Sequence, residues 1–229
     1  KTGDETAKLG HDGKVTAAVA ASYATTGVKE YYTCSRCGEH FSDATCENSI
    51  ADLEAWKTAD GLIAAQKGDA EAGNSAKNRY LIANAADYKE FGDKVNTGTK
   101  MSGKYARLTA NIGNAEDPIK TRIGNSGTNY FAGTLDGNGK TVYVTLTATN
   151  GVGVVGYSGG ATVLNLTVQG AITCSGNSGM GAGGIVGTPV YASGAVTTVK
   201  NCVNEATVKN THATNGNAGV SLAEAAQTF

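Results

Sequence analysis

Two similar stretches recur in the sequence, and this internal repeat limits how the chain can fold more than any other feature. Residues 153–156 recur as residues 184–187, and the run that begins at Ala161 recurs at Thr197. A third copy begins at Gly216 and then departs from the pattern. Short β-branched runs at offsets of 31 and 36 residues are typical of repeats that stack one on the next. The repeat therefore predicts a β-solenoid.

Side chains within the repeats have a regular order. Apolar residues alternate over 164–168, which predicts a strand with one face in a core. Asn165 and Asn201 occupy equivalent positions, so we expect them to stack at a corner of the chain. Cys202 falls where the first copy has Leu166, and we therefore expect it to be a small buried apolar residue.

Charge is scarce in the repeat region and this excludes several function classes. After Asp136 the remaining 93 residues carry only 5 of the 39 charged side chains. The net charge of −1 gives no basic footprint for nucleic acid, and no apolar run is long enough to span a membrane. Glu205 and Glu224 are the only acids after Asp136, whereas glycoside hydrolysis needs two carboxylates about 5–10 Å apart. We expect the chain not to be an enzyme.

One helix is predicted upstream of the repeats. Asn84 can cap a segment in which Tyr88, Phe91 and Val95 lie at helical spacing, and Gly98 follows its end. Because the first strand of a repeat array would expose an unpaired edge, we expect this helix to act as an N-terminal cap.

Further runs resemble bacterial surface proteins that carry GLUG-type repeats. The resemblance covers about residues 78–220 and rests on residues 80–82, 95–98, 106–112, 123–124, 130–142, 153–156 and 184–187. Val154 and Ile185 depart from the usual leucine of the motif. The resemblance implies a right-handed parallel β-helix in a secreted or cell-surface protein, and it implies no catalytic residues.

The N-terminal part carries a candidate metal site. Cys34 and Cys37 form a Cys-x-x-Cys motif that is followed by a glycine, as in a zinc knuckle. Either His11 or His40, together with Cys46, would complete a ligand set for a structural zinc ion. A disulfide from Cys34 or Cys37 to Cys46, or reduced thiols, are the alternatives. The stretch also resembles a small repeat of multidomain bacterial surface proteins that contains a His, a Cys-x-x-Cys-Gly hairpin and Phe-Ser-Asp.

The sequence predicts three parts: a small Cys/His β-hairpin module over 1–60, a connector over 61–78 and a capped parallel β-helix over 79–229. The single tryptophan, Trp56, is expected to pack under the small module rather than to stack on a sugar. The fold class predicted for the whole chain is mainly β.

The predicted function is a non-catalytic structural or adhesive protein that is secreted or displayed on a bacterial surface. Its partner would be a surface glycan or protein, and Tyr157 and Tyr191 are candidates for an exposed binding face. One alternative is a self-assembling extracellular filament subunit that stacks on copies of itself through open solenoid ends or through terminal segments. A second is a β-helix that binds or degrades polysaccharide.

Overall fold

The computed structural model describes residues 10–58, 65–176, 181–190, 195–211 and 227–228. The chain divides into two compact units. The N-terminal unit consists of Lys1–Ala21 and Thr26–Ala65, and the C-terminal unit consists of Ser22–Thr25 and Gln66–Phe229.

The N-terminal unit contains a three-stranded antiparallel sheet. Its strands are β1 (Gly13–Thr16), β2 (Tyr31–Cys34) and β3 (His40–Phe41), with β2 in the centre, and helix α1 (Leu53–Thr58) follows them. The core of this sheet is very small: Cys34, Phe41 and Cys46 are buried together and Tyr32 packs against them.

The C-terminal unit is built on an eight-stranded sheet. Seven of its strands are parallel, and the eighth, β13, pairs antiparallel with β10. The unit also contains a 3₁₀ helix at Gln66–Gly68, helix α2 (Ala85–Asn96) and a separate two-stranded parallel sheet, β7–β9. The strands of the unit are β4 (Tyr80–Ile82), β5 (Tyr105–Leu108), β6 (Thr134–Ala148), β7 (Val155–Ser158), β8 (Thr162–Cys174), β9 (Val186–Pro189), β10 (Thr198–Lys200), β11 (Val203–Asn204), β12 (Thr207–Asn210) and β13 (Gln227–Thr228).

The repeat register predicted from the sequence is confirmed. Val163 pairs with Val199 at the predicted offset of 36 residues, and Val155 pairs with Val186 at the offset of 31. Cys202 is 4% exposed, as its alignment with a buried leucine predicts. Inward side chains of neighbouring strands therefore meet the same kind of residue, and they form one continuous core.

The predicted stacking of asparagines is also confirmed. Asn201 Nδ2 donates to Asn165 Oδ1 at 3.3 Å, and Asn165 Nδ2 donates to Asp136 Oδ1 at 3.0 Å. Both asparagines have positive φ, 54° at Asn165 and 52° at Asn201, a conformation that asparagine tolerates better than most residues. Each thus turns the backbone and ties one strand to the next.

Helix α2 confirms the predicted helix and its N-cap residue, Asn84. Asn84 Oδ1 accepts a hydrogen bond from the Asp87 backbone N–H at 2.9 Å, and Tyr88, Phe91 and Val95 are buried on one face. With 12 residues, α2 is far shorter than a membrane span, and no helix in the described part of the chain is long and apolar enough to cross a bilayer.

The prediction of a mainly β, right-handed parallel β-helix is wrong. The described residues form a mixed α/β structure, with a parallel sheet of seven strands and few helices. Helix α2 contributes its buried face to the same core as the sheet, while β7 and β9 form a separate sheet of only two strands. The sequence repeat reports which residues pair between neighbouring parallel strands, and this pairing does not determine the architecture of the whole unit.

A substitution at Gly170 tests how closely strands β6 and β8 pack against each other. The φ of Gly170 is +103°, and a Cβ placed there would lie 2.0 Å from the Val144 carbonyl oxygen. Gly139 also has positive φ, but a Cβ there would meet no atom within 4 Å. We expect Gly170→Ala to lower the free energy of unfolding by at least about 3 kcal/mol and Gly139→Ala by only about 1–2 kcal/mol. Urea unfolding followed by circular dichroism measures both, and equal losses would contradict the expected clash.

The buried carboxylate of Asp87 gives a second prediction. Its Oδ1 accepts from the Ala24 N–H and the Thr25 hydroxyl, and its Oδ2 accepts from the Ala83 N–H, each at 2.9 Å. Because an amide would present an N–H to one of these donors, we expect Asp87→Asn to cost about 2–3 kcal/mol of unfolding free energy. Asp93→Asn, which removes only an exposed pair with Lys89, is the control and should change stability by less than about 1 kcal/mol. Similar losses in both variants would show that the bonds to Asp87 contribute little.

Candidate metal site in the N-terminal unit

The Cys-x-x-Cys motif forms a tight turn at the end of β2. The Gly38 N–H donates to the Cys34 carbonyl at 2.9 Å, and the Cys34 N–H donates to the Glu39 carbonyl at 2.8 Å. Gly38 has a φ of +78°, which a glycine adopts without steric cost. The turn therefore places Cys34 and Cys37 on one side of the hairpin.

Three predicted ligands come together at this turn. One ligand atom from each of His11, Cys34 and Cys37 lies within 4.8 Å of the other two, close enough to hold a metal ion. The Cys37 sulfur is 3.5 Å from His11 Nδ1. His11 reaches the turn because it precedes β1, whose first residue pairs with Cys34 across the antiparallel ladder.

Backbone amides surround the Cys34 sulfur. The amide of Asp12 lies 3.5 Å from it and lowers the pKa of the Cys34 thiol to about 6, against the opposing effect of burial and with help from the amides of Arg36 and Cys37. The Glu39 amide also favours the thiolate of Cys37, but burial and the neighbouring Cys34 sulfur outweigh it and raise the pKa of Cys37. The turn thus favours a thiolate at Cys34, and the thiolate is the form of cysteine that binds metal.

Cys46 lies in the same small core as Cys34 but outside the three-atom cluster. It is buried, and burial raises the pKa of its thiol, as does the charge of Cys34. Its sulfur occupies the space beside Gly13, where a Cβ would come within 2.6 Å of it. The Cys46 sulfur therefore packs against the first residue of β1.

His40 is placed elsewhere, so the structure distinguishes the two candidate histidines. Its Nδ1 lies 3.0 Å from the Thr33 hydroxyl, and its ring stands edge-on to Tyr31 at a centroid distance of 5.6 Å. No disulfide joins Cys34, Cys37 and Cys46.

Sequence reasoning missed one element of the site. The Ser35 hydroxyl donates to Asp12 Oδ2 at 2.7 Å, and this bond holds the segment that carries His11 beside the Cys-x-x-Cys turn. Asp12 and Ser35 are far apart in sequence, and their residue types alone give no signal that they pair.

The residues predicted for a binding face are placed differently from the expectation. Tyr157 is only 5% exposed, so it does not present its ring on a surface. Tyr191 lies outside the described residues. Trp56 is half-buried; its Nε1 donates to the Glu30 carbonyl at 3.2 Å, and Lys29 Nζ lies 3.7 Å from its ring centroid.

Comparison with known proteins gives no relative. No family model matches the chain, and neither a curated protein nor a solved structure matches it significantly. The resemblance to proteins with GLUG-type repeats therefore remains a prediction that rests on the residues quoted for it.

Proposed function

We propose that the chain is a non-catalytic, extracellular structural and adhesive protein whose N-terminal unit is stabilised by a zinc ion. The cluster of His11, Cys34 and Cys37 is the observation that carries the metal part of this proposal. Thiolate and imidazole ligands favour zinc among the common divalent ions.

The geometry of the cluster suits a tetrahedral ion. Ligand atoms about 2.0–2.3 Å from zinc lie about 3.3–3.8 Å from one another, and the Cys37 sulfur and His11 Nδ1 are separated by 3.5 Å. In this proposal Cys46 supplies the fourth ligand, because its sulfur is buried in the same core as Cys34. Four protein ligands would make a closed site, which is typical of structural rather than catalytic zinc.

The small core of the N-terminal sheet gives the ion a role. Among the described residues of this unit, three side chains are buried together in the core of the sheet, and two of them are cysteines. Small units with so little apolar burial usually depend on metals or disulfides for stability. Zinc binding would then contribute folding free energy directly.

The contacts of two carboxylates support a structural role for the C-terminal unit. The Asp136 carboxylate is occupied by the Asn138 N–H and the Asn165 amide, and Arg79 and Arg107 lie 3.5 and 3.6 Å from its other oxygen. Glu205 accepts from Gln169 Nε2 at 2.7 Å on the neighbouring strand. These carboxylates hold strands together, as expected of a scaffold.

The edge strand β4 favours this role over end-to-end stacking into a filament. The Leu81 N–H donates to Gln66 Oε1 at 2.6 Å, and the Leu81 carbonyl accepts from the Tyr23 N–H at 2.7 Å. Because both backbone groups at the centre of the edge are already bonded, this edge is protected against pairing with another copy.

Zinc content tests the proposal with a matched pair of histidine variants. The purified chain should hold about one zinc ion, by elemental analysis, since a closed site takes one ion. His11→Ala and Cys34→Ser should lose it, while His40→Ala should retain it, because His40 lies outside the cluster. Removal of the ion by a chelator should abolish amide-exchange protection in β1–β3. Full zinc content in His11→Ala, or loss in both histidine variants, would contradict the assignment.

The fourth ligand is tested separately with cobalt(II). The cobalt-substituted chain should show the sulfur-to-metal absorption and intense visible bands of tetrahedral thiolate coordination. Cys46→Ser should weaken the sulfur-to-metal band without abolishing it, because two thiolates remain. An unchanged spectrum would remove Cys46 from the ligand set.

A further inference from the structure

We propose that a lysine-lined cleft in the C-terminal unit binds an anionic, carboxylate-bearing saccharide. This inference rests on the proposed adhesive role and names the class of partner. The cleft has a volume of about 400 Å³, within the range of about 300–1,000 Å³ that is usual for small-molecule sites. We call it the lysine cleft; it is lined mainly by Tyr23, Lys67, Tyr80, Lys94, Lys100 and Lys104.

The charge of the lysine cleft is one-sided. Four of its lining residues are lysines and none is acidic, although the whole chain has a net charge of −1. The neighbouring cavity, of about 610 Å³, contains Glu90 and Asp93, but these carboxylates are bound to Lys67 at 2.5 Å and to Lys89 at 2.6 Å. Among the described ion pairs, Lys67 alone of the four cleft lysines has a carboxylate partner. The remaining positive charge favours an anion.

Two of the lysines lie against aromatic rings, which restricts the conformations of their side chains. Lys100 Nζ is 4.3 Å from the centroid of Tyr130, and Lys104 Nζ is 5.9 Å from that of Tyr80. Lys104 also donates to the Asn74 side chain. Such contacts reduce the conformational entropy that the side chains lose when they bind a ligand.

The packed rings of two tyrosines give the cleft a rigid wall. The rings of Tyr23 and Tyr80 pack edge-to-face at a centroid distance of 5.0 Å, and Tyr23 also packs on Phe91. Burial, with the neighbouring Tyr80 and Glu90, raises the pKa of Tyr23 to about 12. Both tyrosines are buried, so their rings form a fixed wall behind the lysines.

The turn that carries Lys100 and Lys104 has an unusual backbone. Gly98, Met101 and Gly103 all have positive φ, and Met101, at 57°, is not a glycine. The Lys104 N–H closes the turn on the Met101 carbonyl at 3.0 Å. A buried Met101 side chain, 6% exposed, anchors this conformation. Such backbone conformations persist only where the surroundings fix them, so the two lysines are presented from a defined turn.

The ligand class follows from size and charge together. Lysine ammonium groups are point charges that pair with carboxylates without a fixed bidentate geometry. The exposed hydroxyls of Thr99 and Ser102 at the cleft supply hydrogen-bonding partners that sugar hydroxyls need. A nucleic acid would instead require an extended basic surface, which a chain with 19 basic and 20 acidic residues does not provide.

The test measures binding of trigalacturonate to the full chain by calorimetry and by NMR shift changes. The fully methyl-esterified trimer is the neutral match, and a single-stranded DNA oligonucleotide and inorganic phosphate are the other anions. Lys94→Gln/Lys100→Gln should weaken binding of the acid trimer by about tenfold or more. Lys120→Gln/Lys209→Gln removes the same charge at exposed positions outside the cleft, and should leave binding within about twofold, because distant exposed charges are screened by salt.

Each outcome bears on the inference. Preferred binding of the acid trimer that is lost only in the cleft variant supports it. Equal loss in both double variants, equal binding of the neutral ester, tighter binding of DNA, binding of phosphate alone, or no binding of the acid trimer overturns it. Binding of the neutral ester without the acid would leave the adhesive role intact, while the zinc measurements report on the N-terminal unit independently.

Discussion

The parallel ladder between β6 and β8 is the constraint on which the C-terminal unit depends. The two longest strands pair from Lys140–Leu166 to Ala148–Cys174 without interruption. This register sets Val144 against Gly170 so closely that only a glycine fits there. It also sets where the neighbouring strands lie, because β10, β11 and β12 all pair with β8 and repeat its register.

The β6–β8 ladder also accounts for the residue types in the turn where it begins. The register shifts between Asp136 and Lys140, and positive φ values at Asn138 and Gly139 turn the backbone across the shift. Asp136 accepts from the Asn138 N–H inside this turn, while the Asn165 amide reaches the same oxygen from the next strand. Side-chain hydrogen bonds therefore join this turn to the next strand. Asparagine suits these positions because it tolerates positive φ and also supplies the amide that makes such bonds.

The sequence predicts local features of this fold well and its architecture poorly. Equivalent residues in the repeats pair as predicted, because inward positions of parallel strands must hold similar apolar side chains. Helix α2 is predictable from its cap and its spacing, both of which are local. The mixed α/β architecture is not, because the way α2 and the two sheets share one core depends on contacts that no spacing in the sequence encodes. Both the internal repeat and the resemblance to a repeat family predict a solenoid, and that prediction is wrong.

The metal site, too, is predictable from the sequence only in its local part. The Cys-x-x-Cys turn is visible in the sequence because its geometry is contained in five residues. The choice between His11 and His40 is not visible, because strand pairing decides it: His11 precedes the strand that lies beside Cys34, whereas His40 faces Thr33 and Tyr31. Spacing along the chain leaves both histidines open as ligands, and strand pairing across the sheet brings His11 to the cysteines.

Charged residues are concentrated in the first 136 residues, and the proposed lysine cleft lies in that part of the chain. Of the 39 charged residues, 34 precede Lys140, and all four lysines of the cleft are among them. The described segments after Asp136 consist mainly of apolar inward positions and of turns that carry few charges, so they offer little charge for recognition. The cleft lies instead where α2, the turn after it and the segment that holds Tyr23 meet, because loops between rigid elements can vary without disturbing the ladder. The proposed recognition chemistry thus lies apart from the close β6–β8 contact at Gly170.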